Sequence, residues 1–148
     1  MFYAVYLLFV LLYLFMGIGG ADKGIYFADQ TTLRFVAVPC ILMLFCTKSF
    51  RAFGRAFLFA FGKRDQEISK YQESAQSVKM VMVTAHIFGT VCFLIGMVNA
   101  IRFTDWSSPD CFGWLCMDLS VAVLSLFYPL FICMILLPVF FMLKRHLS

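Results

Sequence analysis

The sequence predicts an all-α integral membrane protein with four transmembrane helices. Of its 148 residues, 63% are apolar and only 14% are charged, whereas an ordinary soluble chain is about 45–50% apolar. The charged side chains lie mainly between long apolar runs rather than within them. Because a soluble domain of this length cannot hide so many apolar side chains from water, we expect lipid to surround most of the chain.

Four apolar runs define the predicted spans, since a helix needs about 20 residues to cross ~30 Å of hydrocarbon. The first span is residues 1–20. A signal peptide is the alternative for this run, but the run lacks a basic start and exceeds the usual signal core, which favours a retained helix. The second span is residues 31–48, with an amphipathic extension to residue 62.

This extension separates basic from aromatic side chains. Arg51 and Arg55 share one helix face, and the phenylalanines fall on the other side: Phe50, Phe53, Phe57 and Phe61. We expect the second helix to continue out of the bilayer, with its arginines among headgroups and its aromatic rings at the interface.

The rest of the chain alternates hydrophilic and apolar segments. The middle loop is residues 63–77, and the third span is residues 78–102. The outer loop is residues 103–116, and the fourth span is residues 118–143. Cys111 and Cys116 lie in the outer loop and can form a disulfide if that loop faces an oxidising compartment. Whether they do stays open. No cysteine pair has zinc-ligand spacing with histidines nearby, so no metal site is predicted.

The distribution of basic residues predicts the orientation. Four crossings place both termini on the same side as the middle loop. Only Lys23, Arg34 and Arg102 fall on the other side, and the rest of the 12 Lys and Arg residues flank the middle loop or the C-terminus. The middle loop and both termini are therefore predicted to be cytoplasmic. The net charge of +4 does not indicate nucleic-acid binding, because no solvated module remains for it.

The third span contains a stripe of small residues. They recur at intervals of four, three, four and four positions: Ala85, Gly89, Cys92, Gly96 and Ala100. Such stripes allow helix backbones to approach closely in lipid. The first four of these residues are the predicted helix-packing positions.

A few polar side chains lie within the third and fourth spans. His86 and Thr90 are four positions apart, and Ser125 lies in the fourth span. Intramembrane polar groups indicate a functional path, but hydroxyls in helices also bond the carbonyl one turn back without further role. His86 is either a relay or a neutral histidine bonded to a neighbouring helix. Asp118 is interpreted as a structural carboxylate at the N-terminus of the fourth helix.

No Asp or Glu lies deep in a predicted span, and the loops contain no set of nucleophile, base and orienting group. A self-contained proton pump or a hydrolase needs such groups. An enzyme and a bound cofactor are therefore not expected. If ions cross here, a partner chain must supply the carboxylate.

The order of parts and the last third of the chain resemble a known family. Two helices precede a basic segment and two longer helices follow it. Met117-Asp-Leu-Ser-Val-Ala-Val-Leu-Ser-Leu-Phe-Tyr-Pro129, continuing to Pro138 and then Lys144-Arg145, is similar to the fourth helix of MotA-type stator subunits, which are related to TolQ and ExbB. That helix has a Met-Ala-x-Ala-Leu-x-Thr-Thr-Leu-Tyr-Gly core, a later proline and a basic end.

Two further segments resemble the same family. Ile87-Phe-Gly-Thr90, with Gly96 beyond it, is similar to the Ile-Gly-Thr segment of the third helix. Tyr26-Phe-Ala-Asp29 before the second span, and the basic, Phe-rich exit after it, also look like the family. The family's large cytoplasmic domain is reduced here to about thirty residues, so coupling to a flagellar rotor by the usual route is not expected.

The resemblance implies a ring, a pentamer, in the bacterial inner membrane, with the third and fourth helices lining its centre. The ring surrounds a MotB/TolR/ExbD-like partner that has one membrane helix, whose Asp binds the transported H⁺ or Na⁺. Thr90 and Ser125, with His86 nearby, become the candidate ion pathway. The alternative is a non-transporting membrane scaffold or accessory subunit in which the small and hydroxyl side chains only pack helices.

Overall fold

A computed structural model describes residues 3–8, 30–61 and 68–147 of the chain, without the side chains of residues 30–32. Residues 3–8 are helical, and four longer helices follow: α1 Gln30–Cys46, α2 Phe50–Ala60, α3 Ile68–Phe103 and α4 Cys111–Arg145. The described residues contain no strand, which confirms the all-α class.

Two helices, α3 and α4, are long and apolar enough to cross a membrane. They contain 36 and 35 residues, so each is roughly 50 Å long at 1.5 Å per residue and exceeds the hydrocarbon thickness. Helix α1 meets the same criterion only when it is counted with α2 as one bent span. The predicted first span, residues 1–20, lies mostly outside the described residues, and the count of four spans stays a prediction.

The predicted continuous helix from the second span into its extension is wrong. Helix α1 ends at Cys46, and α2 then runs at 106° to it. The amide of Lys48 donates to the carbonyl of Phe45, and the amide of Ser49 donates to that of Leu44. These two bonds, with Lys48 in the left-handed region at φ 52°, form the Schellman arrangement that ends a helix.

Both loops around α3 and α4 are shorter than predicted. Residues 68–77 are helical and continue α3, because contacts with α2 hold this stretch. Tyr71 stacks on Phe59 with ring centroids 4.4 Å apart. Residues 111–116, predicted as part of the outer loop, form the start of α4. The preceding carbonyl of Asp110 accepts the amides of both Gly113 and Trp114, so the helix begins before the apolar run.

Ring contacts and hydrogen bonds hold several segments together at one end of the bundle. The ring of Tyr3 lies 5.5 Å from that of Phe61, and the Tyr6 hydroxyl donates to the carbonyl of Met134 at 2.9 Å. The Tyr71 ring lies 5.3 Å from that of His146. Residues 3–8, α2, the start of α3 and the end of α4 therefore share one end of the molecule, which we call the terminal end.

The outward surface of the long helices is apolar. Phe35 of α1, Val98 of α3 and Phe141 of α4 each expose more than half of their surface, at 63%, 62% and 58%. Water solvates such a continuous apolar surface poorly, so lipid or other chains must cover it. The structure thus supports a membrane protein, while the side on which each end lies stays a prediction.

Candidate functional site

The small residues of α3 lie against α4. A Cβ atom at Gly89 would be 2.4 Å from Cγ of Pro129 and 2.9 Å from the carbonyl oxygen of Ser125. A Cβ atom at Gly96 would be 2.8 Å from Cβ of Ala122. These distances leave no room for a side chain, so the two backbones touch, as small residues permit in membrane helices.

The other two predicted packing residues differ from each other in their surroundings. Ala85 is fully buried, whereas Cys92 is half-buried and lines a cleft described below. Ala85 is therefore enclosed by the neighbouring helices, whereas Cys92 borders open space.

Ser125 lies inside the contact between α3 and α4. Only 2% of its surface is exposed. Its Oγ donates to the carbonyl of Ala122 at 2.6 Å, and the carbonyl oxygen of Gly89 on α3 lies 3.4 Å away. The hydroxyl hydrogen is thus held by its own helix, and the lone pairs of Oγ remain as acceptors.

Thr90 and His86 lie on an exposed face of α3. The Thr90 hydroxyl donates to the carbonyl of His86 at 2.8 Å. Nδ1 of His86 is 3.3 Å from Sγ of Cys133 on α4. Within the described part of the chain, Nε2 of His86 has no hydrogen-bond partner. The pair is thus exposed on α3, and the His86 ring also touches α4 through Nδ1.

The structure does not bring the two hydroxyls together. Thr90 is exposed and Ser125 is buried, and no hydrogen bond between described residues joins them. Both lie at a similar depth, however, because Ser125 packs beside Gly89, the neighbour of Thr90. Thr90 is roughly 17 Å along α3 from the nearest charged residues, Lys79 and Arg102, so both hydroxyls belong to the middle of the apolar segment.

A cleft of about 660 Å³ opens between α1, α3 and α4, toward the end opposite to the terminal end. Its walls include Cys92, Gly96 and Ser125, and its other polar side chains are Asn99 and Asp118. We call it the Asn99–Asp118 cleft. It connects an exposed carboxylate and an exposed amide with the buried hydroxyl.

Sequence reasoning missed the part that Asn99 and Asp118 take in this cleft. The interpretation of Asp118 as a carboxylate at the N-terminus of the fourth helix is wrong, because α4 begins two turns earlier at Cys111. The signal was present in the antiparallel order of the two spans. A polar residue near the end of one span and another near the start of the next must lie at the same level.

Metal binding finds no support in the described part of the chain, where no group of three His, Cys, Asp or Glu side chains is placed to hold an ion. All six cysteines are free thiols. The polar atoms near mid-depth are hydroxyls, carbonyls, the thiols of Cys92 and Cys133 and one imidazole, which can pass a proton or coordinate a cation weakly.

No protein-family model, curated protein or solved structure matches the chain. The resemblance to MotA-type subunits therefore depends on the sequence motifs alone.

Proposed function

We propose that the chain is a MotA-like subunit of an ion-driven membrane motor. In this proposal its copies form a ring, a pentamer, around the membrane helices of a MotB/TolR/ExbD-like partner, and the flow of H⁺ or Na⁺ moves one component against the other. The observation that supports it most is the exposed His86–Thr90 pair near mid-depth on α3.

The surroundings of this pair are apolar. Ile87, Val91 and Leu94 expose 56%, 45% and 56% of their surfaces. Lipid satisfies none of the hydrogen bonds of an imidazole, and polar groups in spans generally face protein or a water-filled path. We therefore assign this face of α3 to the interior of an assembly, where another chain or water supplies the missing partner of His86.

The ion path in this proposal uses side chains on both long helices. The Asn99–Asp118 cleft admits water and cations at one end and reaches Ser125. Thr90 and Ser125 offer lone pairs near mid-depth while their hydrogens are held by helix carbonyls. The transported ion needs a counter-charge there, and the partner's Asp supplies it because α3 has no acidic residue between Lys79 and Arg102.

The same hydrogen bonds support a second candidate, a non-transporting scaffold. Thr90 bonds the carbonyl of His86, and Ser125 that of Ala122, which is the ordinary local arrangement of hydroxyls in membrane helices. In a scaffold these hydroxyls have no further role, and their removal leaves assembly and transport by any partner unchanged.

Hydroxyl removal distinguishes the two candidates. We expect Ser125→Ala or Thr90→Val to lower ion flux through the reconstituted complex by about tenfold, equivalent to ~1.4 kcal/mol, with assembly intact. Ser120→Ala and Thr47→Val are matched controls, because each removes a hydroxyl bonded to its own helix outside the proposed path. Equal flux in test and control variants would support the scaffold and reject the motor subunit.

A further inference from the structure

A basic pocket lies at the terminal end, where α1 turns into α2. Its volume is about 490 Å³. Three cationic side chains, one carboxylate and three neutral polar side chains line it: Lys48, Arg51, Arg55, Glu73, Thr47, Ser49 and Gln76. The ion path proposed above does not include this pocket.

The charges in the basic pocket do not balance. Nη2 of Arg55 lies 3.0 Å from Oε2 of Glu73. This is the one ion pair between described residues, so Lys48 and Arg51 have no carboxylate partner in that part of the chain. The pair orients the Arg55 guanidinium and leaves its other N–H groups available. Two uncompensated cations beside an oriented guanidinium fit a phosphate group, which accepts several charged hydrogen bonds.

The end of α1 requires a left-handed residue at position 48, but it does not require a lysine there. Lys48 is the only described residue other than glycine with a positive φ, at 52°. A left-handed residue that ends a helix is usually glycine, because a Cβ atom makes this conformation unfavourable by about 1–2 kcal/mol. Strain of this kind tends to persist where the side chain has a function. Here the side chain contributes a charge to the basic pocket.

The position of the pocket fits the headgroup layer of a membrane. Helix α2 runs at 106° to α1, so it lies near the membrane plane when α1 crosses it. Its first residue, Phe50, and the residue that follows it, Phe61, each expose 54% of their surface. The Phe50 ring stacks on Phe45 of α1 at 5.4 Å. Exposed aromatic rings beside basic side chains are typical of a helix lying in the interface.

We propose that the basic pocket binds the phosphate of an anionic lipid headgroup, as in phosphatidylglycerol, in the leaflet at the terminal end. The phosphate bridges Lys48 and Arg51 and accepts from Arg55, and Phe50 lies beside the acyl chains. Lipid bound there ties α2 to the membrane surface next to the bend. This proposal does not depend on the ion-motor proposal.

The test uses the full chain in phosphatidylcholine nanodiscs titrated with phosphatidylglycerol, with retained lipid counted by native mass spectrometry. Removing one cation near a membrane surface is expected to weaken binding about fivefold. Lys48→Gly and Arg51→Gln should each show this loss, and Glu73→Gln should bind more tightly. Lys48→Gly is decisive because glycine suits the left-handed backbone, so the variant folds at least as well as the parent chain.

Lys144→Gln is the matched control, since it removes an exposed cation at the same end of the bundle but outside the pocket. Equal lipid retention by Lys48→Gly, Arg51→Gln and Lys144→Gln would overturn the proposal. Inorganic phosphate, added to the chain in phosphatidylcholine nanodiscs with and without phosphatidylglycerol, tests the source of the phosphate. We expect it neither to displace phosphatidylglycerol nor to raise the unfolding temperature at millimolar concentration. If it does either, the lipid assignment is wrong.

Discussion

Gly89 and Pro129 join α3 to α4 with no space for another carbon atom, because a Cβ atom at Gly89 would lie 2.4 Å from Cγ of Pro129. We expect Gly89→Ala to push the helices apart and to lower the free energy of unfolding by roughly 1–3 kcal/mol. The free energy lost through the steric clash should exceed the gain of up to ~1 kcal/mol that comes from the higher helix propensity of alanine. Thermal unfolding in detergent measures the balance.

Gly54 provides the control for this substitution. It lies within α2, and no atom of the described residues comes within 4 Å of the position that a Cβ atom would take there. Gly54→Ala should therefore raise the unfolding free energy by ~0.5–1 kcal/mol through helix propensity alone. If Gly89→Ala stabilises the chain as Gly54→Ala does, the close contact between α3 and α4 is wrong.

A buried hydroxyl of α3 offers a stabilising substitution. Ser74 is fully buried, and its Oγ has no hydrogen-bond partner among the described residues. Ser74→Ala removes an unsatisfied polar group, so we expect the unfolding free energy to rise by about 1 kcal/mol. Ser77 is equally buried, but its Oγ donates to the carbonyl of Ser74 at 2.8 Å. Ser77→Ala should bring no such gain, and equal effects of the two substitutions would contradict this difference.

The connection between α3 and α4 should respond to acid. Both the amide and the hydroxyl of Ser107 donate to Oδ1 of Asp105, and these bonds lower the pKa of Asp105. A lowered pKa means that the bonded loop is stable above the ordinary carboxyl pKa and is lost as the pH falls through the lowered value. Fluorescence of Trp106, recorded in a Trp114→Phe background, reports the transition.

Ser107→Ala removes the larger of the two contributions to this shift, the side-chain hydrogen bond. The midpoint of the Trp106 transition should then move to higher pH. Ser108→Ala is the control, because its side chain makes no bond to Asp105. A midpoint that stays fixed in Ser107→Ala would show that Asp105 does not control the loop.

Cys111 and Cys116 should not form a disulfide within one protomer. Both are free thiols in the first two turns of α4, where helical rise separates them by about 7.5 Å along the axis. Disulfides require Cα atoms within about 7 Å. Mild oxidation followed by mass measurement should show no loss of two hydrogens in monomeric chains, and an intramolecular bridge would mean that α4 begins later than Cys111.

Sequence patterns predicted the features that depend on apolar content. The all-α class and the long apolar helices α3 and α4 follow from composition and run length, and the structure shows them. The periodicity of small residues indicated a packing face on α3. It did not identify Pro129 and Ala122 as the residues of α4 that contact this face. Contacts of that kind depend on the register between two helices, which no local pattern fixes.

The bend after α1, the different burial of two hydroxyls and the cleft depend on tertiary contacts or on backbone conformations, which residue types alone do not predict. The bend after α1 occurs at Thr47-Lys48-Ser49, which contains neither glycine nor proline. Thr90 and Ser125 look equivalent in sequence, yet one is exposed and the other is buried in the contact between helices. The cleft lined by Asn99 and Asp118 forms only when α3 and α4 lie antiparallel.

The subunit and partner content of the native complex tests the proposed function most directly. Native mass spectrometry of the complex extracted in mild detergent measures both. A pentamer of this chain bound to chains that have a single membrane span with an Asp inside it is the predicted result. A stable monomer, which needs no such partner, would contradict the account.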